Sequence, residues 1–120
     1  MAGTYTTRCP PGGDNVDSWI RRGMACTRRR KYTDAIGSFG RALGLDPDSV
    51  EALLGRGNAL YALERYEDAL DAYDRALEVA PDRPGLHLAR SNALSALGRT
   101  EEASAAYERA MGLRHRRERE

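Results

Sequence analysis

The amino-acid sequence repeats itself with a period of 34 residues. Residues 16–49, 50–83 and 84–117 align without a gap, and several columns keep one residue type in all three segments. The clearest columns are Arg22/Arg56/Arg90, Gly23/Gly57/Ser91, Ala35/Ala69/Ala103 and Phe39/Tyr73/Tyr107. A unit of this length cannot bury its apolar face alone, so the repeats are expected to stack on one another.

Each repeat contains two segments in which apolar residues recur at helical spacing. In the second repeat, leucines between Leu53 and Leu63 mark the first segment, and apolar residues between Ala69 and Val79 mark the second. The residues between the two segments are mostly polar, and Pro81 ends the second segment because proline cannot continue a helix. The pattern predicts an all-α chain of antiparallel helix pairs.

The boundaries of several helices are also predicted from local signals. The second helices of the first two repeats are expected at residues 33–45 and 67–79. Asp48 is the expected N-cap of the helix that follows it, and Thr100 is the expected N-cap of the last helix. Close packing of small residues is expected within each pair, because Gly57 and Ala69 allow the two backbones to approach.

Composition excludes several classes of protein. The chain has 120 residues, 41% of them hydrophobic, which suits one small domain. It has no apolar run near the roughly 18 residues that a membrane-spanning helix needs, and residues 1–17 lack the hydrophobic segment of a secretory signal. Cys9 and Cys26 are too few for a disulfide framework and lack metal-ligand spacing. We therefore expect a reducing, cytoplasmic setting, no bound metal and no membrane partner.

The net charge of +1 conceals an alternation between the repeats. Basic residues outnumber acidic ones by three in the first and third repeats, whereas the second carries four more acidic than basic residues. A nucleic-acid surface needs a continuous basic stripe, so we expect no nucleic-acid partner. The basic run at residues 28–31 lies in one turn without interleaved aromatics, and it is expected to be solvated.

The repeated columns resemble the tetratricopeptide repeat (TPR), a family with a 34-residue period. The matching residues are Trp19, Gly23, Ala35, Phe39, Ala42 and Pro47 in the first repeat, Leu53, Gly57, Leu60, Ala69, Tyr73, Ala76 and Pro81 in the second, and Ser91, Leu94, Ala103, Tyr107 and Ala110 in the third. The resemblance implies a right-handed α-solenoid of three antiparallel helix pairs that binds other proteins. The expected division is a flexible tail (1–15), a three-repeat domain (16–117) and a charged extension (118–120).

Two departures from the family pattern carry expectations of their own. Arginine replaces the usual leucine at Arg22, Arg56 and Arg90, and we expect these side chains to pack along the helix interface with their heads reaching carboxylates or water. His115 replaces the terminal proline, so the last helix is expected to run on as a charged extension. Met111 would contribute to a partial apolar patch there, together with Leu113.

The sequence offers no recognisable catalytic machinery. Its two histidines, His87 and His115, are far apart and have no cysteine or histidine at metal-ligand spacing. The glycines at residues 12–13 lack the lysine of a nucleotide-binding loop, and Gly37 and Gly40 fall within a predicted helix. We therefore expect a protein that is not an enzyme and that needs no cofactor.

The resemblance places a binding surface on the concave wall that the first helices form. The candidate residues for binding a peptide there are Ile20, Met24, Arg28, Leu54, Asn58, Tyr61, Leu88 and Asn92. Ile20, Leu54 and Leu88 form an apolar column that core packing does not obviously require, so we expect them to be exposed. The amides of Asn58 and Asn92 are expected to bond to a peptide backbone.

The predicted function is a non-catalytic protein–protein interaction module that takes a peptide or helix in this groove. Relatives that dock chaperone C-termini use Lys, Arg and Asn at five positions, which here hold Ile20, Met24, Gly55, Gly85 and Ala89, so chaperone docking is not expected. Two alternatives remain open: a self-assembling oligomerisation element, and a scaffold portion of a longer enzyme or sensor. We expect a monomer, and a weak dimer through the C-terminal helix is the alternative.

Overall fold

The computed structural model describes residues 15–119, which form six α-helices in three consecutive pairs. The helices are α1 (Val16–Arg28), α2 (Tyr32–Leu45), α3 (Val50–Ala62), α4 (Tyr66–Val79), α5 (Pro84–Ala96) and α6 (Thr100–Arg119). Each pair corresponds to one repeat, which confirms the predicted all-α solenoid, and α2 and α4 each begin one residue before the expected start. Most of the expected N-terminal tail, residues 1–14, lies outside the described residues.

The turn inside each pair uses a left-handed residue at the same repeat position. Arg30 has φ 61°, Glu64 has φ 63° and Gly98 has φ 80°. The next residue closes the turn, as in the 2.8 Å bond from the Lys31 N–H to the Cys26 carbonyl, which is a Schellman arrangement. Only glycine adopts this φ without a penalty, so the first two turns carry strain that the third does not.

Two of the expected helix caps are wrong. Ser49, not Asp48, caps α3, because its hydroxyl accepts a 3.3 Å hydrogen bond from the Ala52 N–H. Asp48 instead donates its backbone N–H to the side chain of Asp46 in the preceding turn. Thr100 is the first residue of α6 rather than its cap.

The helix pairs stack so that the first helices lie on the inner side of the array. Each helix contacts its neighbours in sequence, and α3 also contacts both α1 and α5. Within residues 15–119, the second helices α2, α4 and α6 do not contact one another. The array therefore curves toward α1, α3 and α5, which form its concave wall, and its overall dimensions are 52 × 33 × 22 Å.

A buried aromatic residue from each of the first two pairs fills the space between helices. Phe39 is 1% exposed and Tyr73 is 2% exposed. A Cβ added to Gly23 would lie 2.6 Å from the Phe39 ring, and one added to Gly57 would lie 2.5 Å from the Tyr73 ring. Gly23 and Gly57 therefore make room for these rings.

The repeated arginines differ from one junction to the next. Arg90 Nε lies 2.6 Å from a carboxylate oxygen of Asp74, as expected for a head that reaches an acid. Arg22 lies over the Trp19 ring, 4.5 Å from its centroid. The Nε of Arg56 is buried and has no hydrogen-bond partner among the described residues, so the expectation fails for that atom.

The C-terminal helix continues to Arg119, as the missing proline predicts. His115 Nδ1 lies 3.6 Å from Glu118 on this extension, whereas Glu120 is outside the described residues. Leu113 is 4% exposed and Met111 is half-buried, so the expected apolar patch for dimer formation is largely covered.

Cys26 is fully buried in α1 and is disulfide-bonded. The expectation of reduced thiols therefore does not hold for this residue.

Candidate functional site

A cavity opens on the concave wall between α1 and α3. Its volume is about 330 Å³, and apolar groups dominate its lining. Four of the predicted binding residues meet there: Met24 and Arg28 come from α1, and Leu54 and Asn58 come from α3. Helical spacing explains the convergence, since each pair of residues is separated by one turn and therefore lies on one face of its helix.

The floor of the cavity includes Phe39, which the sequence indicates as a core residue, and Gly55, for which the sequence predicts no part in the groove. Phe39 reaches from α2 into the space between α1 and α3, and Gly55 lies against its ring. A Cβ at Gly55 would overlap the Phe39 ring, so only glycine lets α3 approach the buried ring this closely. The sequence signal for this floor is a pair of glycines, Gly23 in α1 and Gly55 in α3, which both lie against the Phe39 ring.

The apolar column is less exposed than expected. Ile20 and Leu54 are half-buried and pack against the hydrophobic core, and Leu54 contacts the core clusters on both sides of the second repeat. Leu88 is also half-buried. Core packing therefore does require Ile20 and Leu54, and Met24, at 50% exposed, is the apolar residue of the groove that is freest to contact a ligand.

Asn58 has a structural partner that its position in the sequence does not predict. Its side-chain oxygen accepts a 2.7 Å hydrogen bond from the hydroxyl of Tyr73. Burial of the Tyr73 ring, with a smaller contribution from Tyr61, raises the pKa of the Tyr73 phenol above its ordinary value of 10.0. The bond fixes the orientation of the amide, so the NH2 group of Asn58 is the part that remains for a ligand.

The other candidate residues lie apart from this cavity. Tyr61 is half-buried, and its ring packs edge-on against that of Tyr66 with the centroids 5.1 Å apart. Asn92 is exposed and lines a second cleft at the C-terminal end of the array. The predicted row of two equivalent asparagines is therefore divided between two surfaces.

The charged groups at the edge of the cavity have opposite signs. Arg28 is exposed at the last turn of α1, where a cation also interacts favourably with the helix dipole. Glu51 lines the opposite side and forms a 3.3 Å ion pair with Arg83, which precedes α5. The pairing reduces the free negative charge, so Arg28 gives this end of the groove a cationic character.

The described residues show no sign of a metal centre or a membrane span. Within residues 15–119, no group of three or more His, Cys, Asp or Glu side chains is arranged to hold a metal ion. None of the helices described is both long and apolar enough to cross a lipid bilayer.

The family assignment follows from comparison with family models. Two models described as tetratricopeptide repeat match residues 20–84 and 60–118. The chain belongs to the tetratricopeptide repeat family. No curated protein sequence matches the chain significantly.

Solved structures support the same assignment. A crystal structure of MamA superposes with a TM-score of 0.86 at 17% identity, covering 89% of this chain and 63% of MamA. A second MamA structure (AMB-1, P212121) superposes with a TM-score of 0.79 at 26% identity, covering 85% of this chain and 60% of that one. The second TPR of Spaghetti (RPAP3), bound to the HSP90 peptide SRMEEVD, superposes with a TM-score of 0.80 at 23% identity. The match covers 82% of this chain and 92% of the RPAP3 chain. The chain thus spans about three fifths of the MamA structures.

Proposed function

We propose that this TPR array is a non-catalytic protein–protein interaction module, and that it binds a peptide or helix in its concave groove. The observation that carries the proposal is the convergence of Met24, Arg28, Leu54 and Asn58 on one apolar cavity of about 330 Å³. Ligand sites are typically concave and mostly apolar, with a few polar groups that fix orientation.

Each group in the cavity has a distinct role in this proposal. Met24 is exposed and flexible, so it adapts to an apolar side chain of the ligand that enters above the Phe39 ring. The NH2 group of Asn58 donates to a backbone carbonyl of the ligand, because its oxygen already accepts from Tyr73. Arg28 pairs with an acidic group beside the apolar side chain.

A ligand held through its terminal carboxylate is not part of the proposal. The HSP90 peptide in the RPAP3 structure ends in aspartate. The five positions that the family resemblance assigns to holding such a terminus carry no Lys, Arg or Asn in this chain, because Ile20, Met24, Gly55, Gly85 and Ala89 occupy them. An internal peptide segment or a helix therefore suits the groove better than a free carboxyl end.

The test is a selection of binding peptides from a random display library, followed by affinity measurements on variants. We expect Met24→Ala and Asn58→Ala each to weaken the selected peptides about tenfold, the equivalent of 1.4 kcal/mol. Leu45→Ala is the matched control, because Leu45 is 55% exposed and lies on α2, outside the cavity. Equal affinities for the wild type, Met24→Ala and Leu45→Ala would show that the concave cavity is not the binding site.

A further inference from the structure

The C-terminal end of the array carries a second cleft, distinct from the concave cavity. It has a volume of about 370 Å³ and lies between α5 and α6, with Asn92, Ser104, Tyr107 and Glu108 among the residues that line it. Tyr107 is 50% exposed, whereas its counterparts Phe39 and Tyr73 are 1% and 2% exposed. Among residues 15–119, Tyr107 is therefore the aromatic of this column that another repeat does not cover.

The two internal junctions show what fits against such an aromatic. Gly55 of α3 lies against the Phe39 ring, and Ala89 of α5 packs against the core cluster that contains Tyr73. In both cases the covering element is an α-helix, and the residue at this position of the helix is small. At the C-terminal end, Tyr107 lines the cleft together with small residues such as Ser91 and Ala103.

A charged group next to the ring specifies a second feature of the partner. Asp74 follows Tyr73 and holds Arg90, which directly follows the small residue Ala89, at 2.6 Å. Glu108 follows Tyr107 in the same way, is exposed, and forms no ion pair with any residue in the described part of the chain. The end face therefore offers a carboxylate where an arginine of a docked helix would arrive.

The lining argues against a second copy of this chain as the occupant. The helix that a copy would present is α1, where Arg21 stands at the position of Ala89 and Ser18 at the position of the buried Leu86. A long side chain would therefore face the ring where a small one is needed. The terminal repeats also both carry an excess of basic residues, which disfavours end-to-end stacking.

We propose that the C-terminal cleft docks an α-helix of a different protein, one that presents a small residue followed directly by arginine. The small residue packs on the Tyr107 ring, and the arginine pairs with Glu108. Ser104 replaces the Ile36 and Leu70 of the earlier repeats, so the remaining contacts are polar and the docked helix does not need a broad apolar face. This surface is independent of the concave groove.

The probe is a fluorescently labelled peptide with the sequence of α5 (Pro84–Ala96), which contains the Ala89–Arg90 pair. Its binding to the intact protein is followed by fluorescence anisotropy. We expect saturable binding that Glu108→Arg weakens by at least about tenfold. A peptide carrying Arg90→Glu should bind wild-type protein poorly and should recover binding to Glu108→Arg. This charge-swap recovery requires direct contact between the two positions.

Three other results would overturn the proposal. The first is an absence of saturable binding, or binding that Glu108→Arg leaves unchanged. The second is a loss of binding in Met24→Ala, which would place the peptide in the concave cavity instead. The third is a dimer of the protein alone in sedimentation that Glu108→Arg abolishes, which would assign the cleft to a second copy. Unchanged melting of Glu108→Arg serves as the folding control, because Glu108 is exposed.

Discussion

The two junctions between repeats have the same architecture but differ in one ion pair. At the second junction, Asp74 of α4 binds the guanidinium of Arg90 on α5. At the first junction, Gly40 stands where Asp74 would be, and the Nε of Arg56 is buried without a partner. A buried donor that lacks an acceptor costs about 1–3 kcal/mol. The first junction is therefore expected to be the weaker one.

The aromatic residues of the junctions differ in a matching way. Tyr73 is paired with Asn58 through a hydrogen bond, whereas Phe39 has Met24 at the position equivalent to Asn58. A ring with a hydroxyl thus accompanies an amide, and a ring without one accompanies an apolar side chain. The same two repeat positions therefore hold a polar pair at one junction and an apolar pair at the other, and in each pair the two side chains agree in polarity.

The largest effect should come from removing the aromatic of the first junction. Phe39→Ala empties a site that is 1% exposed, and we expect a loss of about 3–5 kcal/mol in the free energy of unfolding. Tyr107→Ala is the control, because the same column position is 50% exposed there and the loss should be below about 1 kcal/mol. Urea denaturation measures both. Similar losses would mean that coverage by the next helix does not determine the stability of this column.

The second largest effect should come from the glycines of α2. Gly37, Gly40 and Gly44 have no atom within 4 Å of an added Cβ, so alanine fits at each of them. Changing all three to alanine should raise stability by about 2–3 kcal/mol, since each glycine costs about 0.8–1 kcal/mol in a helix. Hydrogen exchange should also be faster in residues 33–45 than in 67–79 of the wild type. Equal protection of the two segments would contradict the proposed asymmetry.

The sequence predicts most of this fold because the repeat period carries the information. Six helices follow from periodicity and from breakers such as Pro81. The site is only half predicted. Four predicted residues do converge on the cavity: Met24, Arg28, Leu54 and Asn58. The sequence, however, indicates Phe39 only as core and predicts no part in the groove for Gly55. Phe39 lies on α2 but reaches the concave wall between α1 and α3. No local sequence pattern predicts this, and it becomes visible only when the same positions of different repeats are compared.

Two errors have the same physical origin, which is tertiary contact overriding a local pattern. Leu54 looks like a surface residue by family position, yet it packs against core clusters on both sides. Asn58 looks like a free amide, yet a tyrosine of the next helix uses its oxygen. Leu54→Ala is therefore a poor test of binding, because it changes folding as well.

The ion pair between Arg90 and Asp74 should affect stability less than the aromatic residues or the glycines of α2 do. Asp74→Asn should cost about 1 kcal/mol, because the side chains of Arg90 and Asp74 are 29% and 45% exposed and solvent screens their attraction. Gly40→Asp should give Arg56 the missing carboxylate and stabilise the first junction. Gly40→Asn is the matched control for helix propensity, and an advantage of about 0.5–1 kcal/mol for aspartate measures the charge alone. No difference between the two variants would show that Arg56 does not need a carboxylate.

An effect similar in size to that of the ion pair is expected for the hydroxyl of Tyr73. Tyr73→Phe keeps the ring but leaves Asn58 without its donor, and we expect a loss of about 0.5–1.5 kcal/mol at pH 8. Adding Asn58→Met reproduces the pair found at the first junction, Phe39 with Met24, and should recover most of the loss. A double variant that is less stable than the sum of the single changes would reject the matched-pair interpretation.

The pH dependence of the stability difference between wild type and Tyr73→Phe tests whether burial raises the pKa of the Tyr73 phenol. Burial raises the pKa of Tyr73 in the folded protein, so above about pH 10 the unfolded chain releases this proton before the folded one does. The folded state then binds more protons than the unfolded state, and stability falls as the pH rises. Tyr73→Phe lacks this proton, so its deficit relative to wild type should shrink between pH 8 and pH 10.5 in urea titrations. A constant deficit for Tyr73→Phe would show that the folded protein ionises this phenol as readily as the unfolded chain does.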